Sequence, residues 1–197
     1  MYIDDQHLLR PSDIKDIIES QPTPNFTDKI IEPIYIVIHY TASMYFSETV
    51  RWLQNTKARA SAHLVIGRSA ETAQMVPFNK KAWHAGQSEY KGIRYLNGCS
   101  IGIELINAGR LTWKSSGLWA DWCGTLVPSR SVYVDGEGQG WHNFPELQIK
   151  KTVDICRRLV GHYQIRDILG HNDVAPGRKI DPGNAWPMDA FKSEVFR

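Results

Sequence analysis

The sequence predicts an α/β fold in which a central mixed β-sheet is flanked by helices. Two apolar runs carry the sheet. Ile34-Tyr35-Ile36-Val37-Ile38-His39-Tyr40 is rich in β-branched residues and leads into a polar cluster, the pattern of a buried central strand. Ser100-Ile101-Gly102-Ile103-Glu104-Leu105-Ile106 alternates large apolar residues with Gly102 and Glu104. One long segment carries the clearest helix. From Pro145 to His162, Leu147, Val153, Cys156, Leu159 and Val160 mark an apolar side, and Pro145 suits a first helical turn.

The other elements follow in chain order. Ser12 ahead of Asp13 to Glu19 predicts a short capped helix, broken by Gln21-Pro22-Thr23-Pro24. Residues 1–33 therefore read as an N-terminal arm and 34–197 as the main domain. Ser47 to Asn55 predicts a second short helix, with Val50, Leu53 and part of Trp52 on one side. Ala62 to Gly67 predicts a strand, and Gln74 to Phe78 another, stopped by Pro77. Residues 110–145 are rich in Gly and Trp without a period. They read as an insertion, an ordered loop or hairpin placed to shape a groove. Asp167 to Leu169 predicts a short strand entering a turn-rich loop, and Met188 to Phe196 a C-terminal helix.

Composition narrows the class. A chain of 197 residues suits one globular domain with a sizeable core. A net charge of +2 argues for no nucleic-acid partner, and no apolar run is long enough for membrane insertion. The three cysteines, Cys99, Cys123 and Cys156, are odd in number and widely spaced, so free thiols are expected rather than a disulfide framework or a zinc–thiolate site. Met1 to His7 is neither basic nor followed by an apolar stretch, so no signal peptide is visible. The expectation is synthesis in the cytoplasm, with action on an outside substrate after release or non-classical export.

The most informative stretch is Gly170-His171-Asn172-Asp173-Val174-Ala175-Pro176-Gly177-Arg178-Lys179-Ile180-Asp181-Pro182-Gly183. Pro fixes φ and Gly permits unusual φ, so such a loop holds its His, Lys and Asp in one geometry. His and Asp are good zinc ligands, and a catalytic zinc commonly takes three protein ligands and a water. The third candidate is His39, at the C-terminal end of its strand, where function collects in α/β sheets. Asp173 is the rival carboxylate to Asp181.

Five blocks then resemble one family in order. They are Ile36 to Ala42, Ser61-Ala62-His63-Leu64-Val65-Ile66, Trp83-His84-Ala85-Gly86, Ser100 to Leu105, and His171 to Gly183. Together they are similar to the zinc-dependent N-acetylmuramoyl-L-alanine amidases, a superfamily that includes amidase-type phage lysozymes, recycling-type anhydromuramyl amidases and peptidoglycan recognition proteins. The likeness runs from about Tyr35 to about Phe191, and residues 1–33 and roughly 110–145 carry no block.

The resemblance implies a zinc site in a surface groove, with one Zn2+ held by His39, His171 and Asp181. It implies Glu104 as the group that handles the attacking water and Lys179 as the cation beside the oxyanion. One branch has a Tyr before the His of the second block; here that residue is Ala62, as in the recycling type. Trp83 and His84 are expected to line the groove and Asn107 to touch sugar or peptide. His63 is expected to orient a zinc-bound imidazole from behind. The implied reaction is hydrolysis of the amide between N-acetylmuramic acid and L-alanine in peptidoglycan or a muropeptide. The alternatives are a non-catalytic peptidoglycan-binding module and a zinc peptidase acting within the stem peptide. Phage endolysin, antibacterial effector and recycling roles all fit, and an effector role would bring an immunity or inhibitor protein as partner.

Overall fold

A computed structural model describes residues 1–14, 16–114 and 117–197. Its main sheet has six strands: β1 (Ile18–Ser20), β2 (Tyr35–Tyr40), β3 (Leu64–Ile66), β4 (Thr72–Gln74), β5 (Ser100–Leu105) and β6 (Asp167–Gly170). Their spatial order is β6-β2-β5-β3-β4-β1. The pairs from β6 through β3 are parallel, β3 and β4 are antiparallel, and β1 pairs parallel to β4. The sheet is mixed, as the sequence predicts.

Period-2 alternation divides the sheet into two faces. Ile36, Ile38, Ile101, Ile103 and Leu105 are fully buried on one face. They share a core with Val153, Ile155, Cys156 and Leu159 of helix α2 (Glu146–His162) and with Phe191 and Val195 of helix α4 (Met188–Val195). The other face meets helix α1 (Phe46–Gln54), whose Val50 and Leu53 pack on Val65 and Ala73. Helices therefore cover both faces. That same second face carries His39 and Glu104, which stand opposite each other in the parallel β2–β5 register.

The insertion is built from hairpins. Thr112–Trp113, Trp119–Ala120 and Leu126–Val127 form a three-stranded antiparallel sheet, and Val132–Val134 pairs with Gly140–His142. Ala108, Leu111 and Val127 seat it on the domain.

The N-terminal segment departs from expectation. In place of the predicted helix over 13–19 there is a turn and then β1 (Lys15 lies outside the described residues). Ile14, Ile17 and Ile18 stand at helical spacing, but Ile14 is 98% exposed and Ile17 60%, so the fold offers this segment no surface on which to bury such a stripe. The edge of the sheet offers Ile18 to Ser20 a ladder on Thr72 to Gln74, and that long-range pairing overrides the local cap signal. Gln74 also accepts the Leu9 N–H at Oε1, which ties Leu9 into the core. The strand expected over 74–78 lies earlier, at β4, because its partner β3 ends the ladder at Gln74.

Candidate functional site

His39 and His171 arrive together because their strands do. β2 and β6 are adjacent and parallel, with Gly170 opposite Ile38, so both histidines emerge at neighbouring C-terminal strand ends. His171 opens the single-turn helix α3 (His171–Val174). The chain then loops back, and the Asp181 carbonyl accepts the Asn172 N–H at 2.9 Å, which folds Asp181 against the helix. Asp173 is used locally: its Oδ2 accepts the Gly170 N–H at 2.7 Å, so the rival carboxylate caps α3 instead of facing the cluster.

The result is a convergence of three buried ligand atoms. His39 Nδ1 lies 2.9 Å from His171 Nδ1 and 3.1 Å from Asp181 Oδ2, and His171 Nδ1 lies 3.0 Å from that same oxygen. Among the described residues this is the one group of His, Cys, Asp or Glu side chains placed to hold a metal ion. Burial drives His39 below its ordinary pKa and so keeps it neutral, although Asp181 pulls the other way. Burial disfavours the Asp181 anion, but the hydrogen-bonding groups of His171 and His39 outweigh it and hold the carboxyl well below its ordinary range. A neutral His39 imidazole and an ionised Asp181 carboxylate are the ligand forms a metal requires.

The outer nitrogens set the tautomers. If Nδ1 of His39 faces the cluster with a lone pair, Nε2 carries the proton and donates to His84 Nδ1 at 3.1 Å. His84 Nε2 then donates to Ser100 Oγ at 3.2 Å, and the Ser100 hydroxyl donates to the Leu96 carbonyl at 2.7 Å. Every donor in this chain has one acceptor, and its direction leaves His39 Nδ1 free. His171 Nε2 similarly donates to the Ala85 carbonyl at 3.3 Å. Such outer partners orient metal-binding imidazoles and fix their tautomer.

His84, and not His63, is the ring that meets the candidate ligand His39. A Cβ at residue 102 would come 2.3 Å from the His84 ring, so Gly102 makes the room for it beside His39. His63 lies one step behind. It accepts the Gly102 N–H at Nδ1 and donates from Nε2 to the Lys80 carbonyl, both at 2.9 Å, and it makes no hydrogen bond to a candidate ligand. Burial lowers its pKa to about 4. Asn107 is also corrected. It is fully buried, donates to the His142 and Asn143 carbonyls and accepts the Gly109 N–H, so it locks the root of the insertion and does not reach the groove.

The cluster opens into a groove of about 730 Å³ whose lining includes Glu104, Lys179, Trp83 and Trp122. Glu104 Oε2 is sealed from solvent without a hydrogen-bond partner. Burial, reinforced by Asp181, pushes its carboxyl up to about 8, while Lys179 works against that rise. An orphaned buried carboxylate oxygen is costly for a fold and marks a functional group. Lys179 is exposed on the metal loop, and its charge disfavours protonation of His39 as well as of Glu104. Trp83 is half-buried at the groove wall, its indole N–H donating to Thr27 Oγ1.

Four participants carry no sequence signal of their own. Ser100 looks like a strand's first residue, Trp52 reads as part of a helix's packing side, Trp122 is a tryptophan without a period, and Arg178 is one loop cation among several. Arg178 donates to the Ala85 and Gln87 carbonyls and pins the His84 segment to the metal loop. Trp122 is 76% exposed on the insertion, and its indole N–H donates to the Ala42 carbonyl at 2.7 Å.

Residues 31–184 match the Amidase_2 family, described as N-acetylmuramoyl-L-alanine amidase. The chain belongs to this family. It is 33% identical over 141 residues to the 1,6-anhydro-N-acetylmuramyl-L-alanine amidase AmpD of Escherichia coli K12, covering 71% of this chain and 60% of that protein. It is 30% identical over 169 residues to the N-acetylmuramoyl-L-alanine amidase AmiD of the same organism, covering 81% of this chain and 52% of that protein. The chain thus spans little more than half the length of these curated relatives. Among solved structures, a complex of E. coli AmiD with the substrate anhydro-N-acetylmuramic acid-L-Ala-D-γ-Glu-L-Lys superposes with a TM-score of 0.64 at 26% identity, covering 85% of this chain and 58% of that one. A selenomethionine derivative of AmpD gives 0.62 at 25% identity, covering 95% and 99%. The α/β class and the amidase membership expected from the five blocks both hold.

Proposed function

We propose that the chain is a zinc-dependent hydrolase that cuts the amide between N-acetylmuramic acid and L-alanine in peptidoglycan or its fragments. The observation that carries the reading is the convergence of His39, His171 and Asp181 at the floor of a groove beside an orphaned, buried Glu104. The donor set suits zinc. Ligand atoms about 2.0–2.1 Å from a tetrahedral zinc lie roughly 3.3 Å apart, and the three here are separated by 2.9 to 3.1 Å. In the metal-free protein both Nδ1 atoms are shared with Asp181 Oδ2, and a bound cation would replace those mutual contacts with three donor atoms facing it.

When bound, zinc supplies a water of lowered pKa and polarises the scissile carbonyl. The chain supplies the rest. Glu104, in register with His39 on the adjacent strand, takes a proton from the attacking water and delivers it to the leaving nitrogen. Its raised proton affinity suits both halves of that transfer, since the group must accept a proton and then give it up. Lys179 places a positive charge at the groove rim, where negative charge grows on the carbonyl oxygen. Ala62 is fully buried, so the position that bears a Tyr in another branch offers no group to the groove, and proton handling rests on Glu104. Trp83 and the groove wall hold the substrate, and the muropeptide bound in the AmiD complex supports that ligand class.

Mass spectrometry of digested sacculi and of soluble anhydro-muropeptides tests the reading. Stem peptides beginning at L-alanine are the expected product. Cleavage inside the stem, or tight binding without any product, would replace it.

A further inference from the structure

The groove does not end at Trp122. On the far side of that ring lies a second cleft of about 620 Å³, and Tyr40, Ala42, Trp122 and Ile180 line both spaces. The second cleft is the work of the insertion. Trp113, 56% exposed, meets Trp119 edge to face with ring centroids 5.0 Å apart. Trp119 and Tyr40 are packed closely from behind: a Cβ at residue 140 would come 2.4 Å from Trp119, and one at residue 109 would come 2.4 Å from Tyr40. The rim is polar. Arg110 Nε donates to Gln139 Oε1 at 2.8 Å, and Gln139 Nε2 is anchored to the Leu111 and Gly140 carbonyls.

From this continuity we infer that the insertion forms an additional saccharide subsite, which binds the next sugar of a glycan strand while the metal centre acts on its neighbour. The inference rests on the amidase reading and deepens it, since it makes polymeric or oligomeric glycan the preferred substrate over a single muropeptide unit. Exposed indole faces beside a polar rim match a pyranose, which is apolar on its C–H faces and polar at its edge. A stem peptide fits less well there. The peptide named in the AmiD complex carries carboxylates and an amine, whereas the second cleft offers one cation, Arg110, and no carboxylate among its lining residues. The main groove is lined by Glu48, Arg178 and Lys179, charges of both signs that suit the peptide arm.

The test compares zinc-loaded protein on a disaccharide and a tetrasaccharide that carry the same stem peptide. Wild type should show a kcat/KM about tenfold higher on the tetrasaccharide, equivalent to ~1.4 kcal/mol. Trp113→Ala should abolish that preference by lowering only the tetrasaccharide value. Equal rates in wild type, equal losses on both substrates in the variant, or a Trp113 effect that follows peptide length would each overturn the inference. Calorimetric titration with the tetrasaccharide stripped of its peptide reads the cleft independently of hydrolysis. Binding by wild type that weakens about tenfold in Trp113→Ala supports the subsite even if no amide is cut, and no binding by wild type refutes it even if hydrolysis proceeds.

Discussion

Replacing Glu104 by Gln should stabilise the metal-free protein at alkaline pH while removing its activity. Burial raises the Glu104 carboxyl from its ordinary 4.5 to about 8. Between those values the folded chain holds a proton that the unfolded chain has released, so stability falls as pH rises through the window. At ~1.36 kcal/mol per pH unit the interval corresponds to roughly 5 kcal/mol as an upper bound. Glu104 is only half-buried as a residue, and water reaching its exposed side brings the expected value to about 2–3 kcal/mol. Gln has nearly the same shape and no titration. Urea unfolding of wild type and Glu104→Gln, both in chelator, should therefore give similar stabilities at pH 4.5 and a difference favouring Gln that grows toward pH 8.5. Other titrating groups are common to both proteins and cancel. Added zinc should shrink the difference, because a cation at His39 and Asp181 favours the Glu104 anion beside it. With zinc present, turnover of the variant should fall on the order of 10²–10⁴-fold. A difference in stability that does not change with pH would show that Glu104 is solvated in the fold, and the proton-transfer role would lose its physical basis.

One zinc per chain should co-purify and a strong chelator should abolish hydrolysis, with Asp181→Ala losing the metal outright; elemental analysis reads both. His84→Ala removes the acceptor of His39 Nε2–H and should weaken zinc binding about 10- to 100-fold, measured by competition with a chromophoric chelator, since outer partners of metal ligands carry effects of that size. Lys179→Ala should lower kcat roughly 10²–10³-fold with little change in KM; a change confined to KM would make Lys179 a substrate-binding cation instead. Asn107→Ala should cost about 1–3 kcal/mol by stranding the buried carbonyls it serves, with kcat/KM of the folded fraction unchanged; an activity loss without destabilisation would return Asn107 to the groove.

Much of the candidate site was legible because its candidate ligands sit where local pattern is strong. His39 ends an unbroken apolar strand, and His171 and Asp181 lie in a loop punctuated by Pro and Gly. What the pattern did not carry was depth. His63 and His84 both stand in well-marked blocks, and nothing along the chain says which ring reaches His39. The choice is made by Gly102 on a third strand, whose missing side chain admits His84. Asn107 follows the Glu104 strand closely enough to suggest a groove residue. Its partners lie 35 and 36 residues onward, across the insertion, where no local signal reports them. The N-terminal helix failed for the same kind of reason, since the edge of β4 that captures Ile18 to Ser20 is formed more than fifty residues later.

The two faces of β2 and β5 also explain how the fold tolerates its site. His39 is buried, and a carboxylate oxygen of Glu104 is sealed beside it without a partner; both oppose folding. One residue away on each strand, Ile38 and Ile103 turn to the opposite face and are fully buried against the α2–α4 core. The alternation that brings His39 and Glu104 together is therefore enforced by apolar burial on the other side of the same sheet. A slip of β5 by one residue would turn Glu104 into that core and Ile103 into the groove, so it would lose both the packing and the chemistry. The stability that offsets the site and the register that assembles it come from the same five side chains: Ile36, Ile38, Ile101, Ile103 and Leu105.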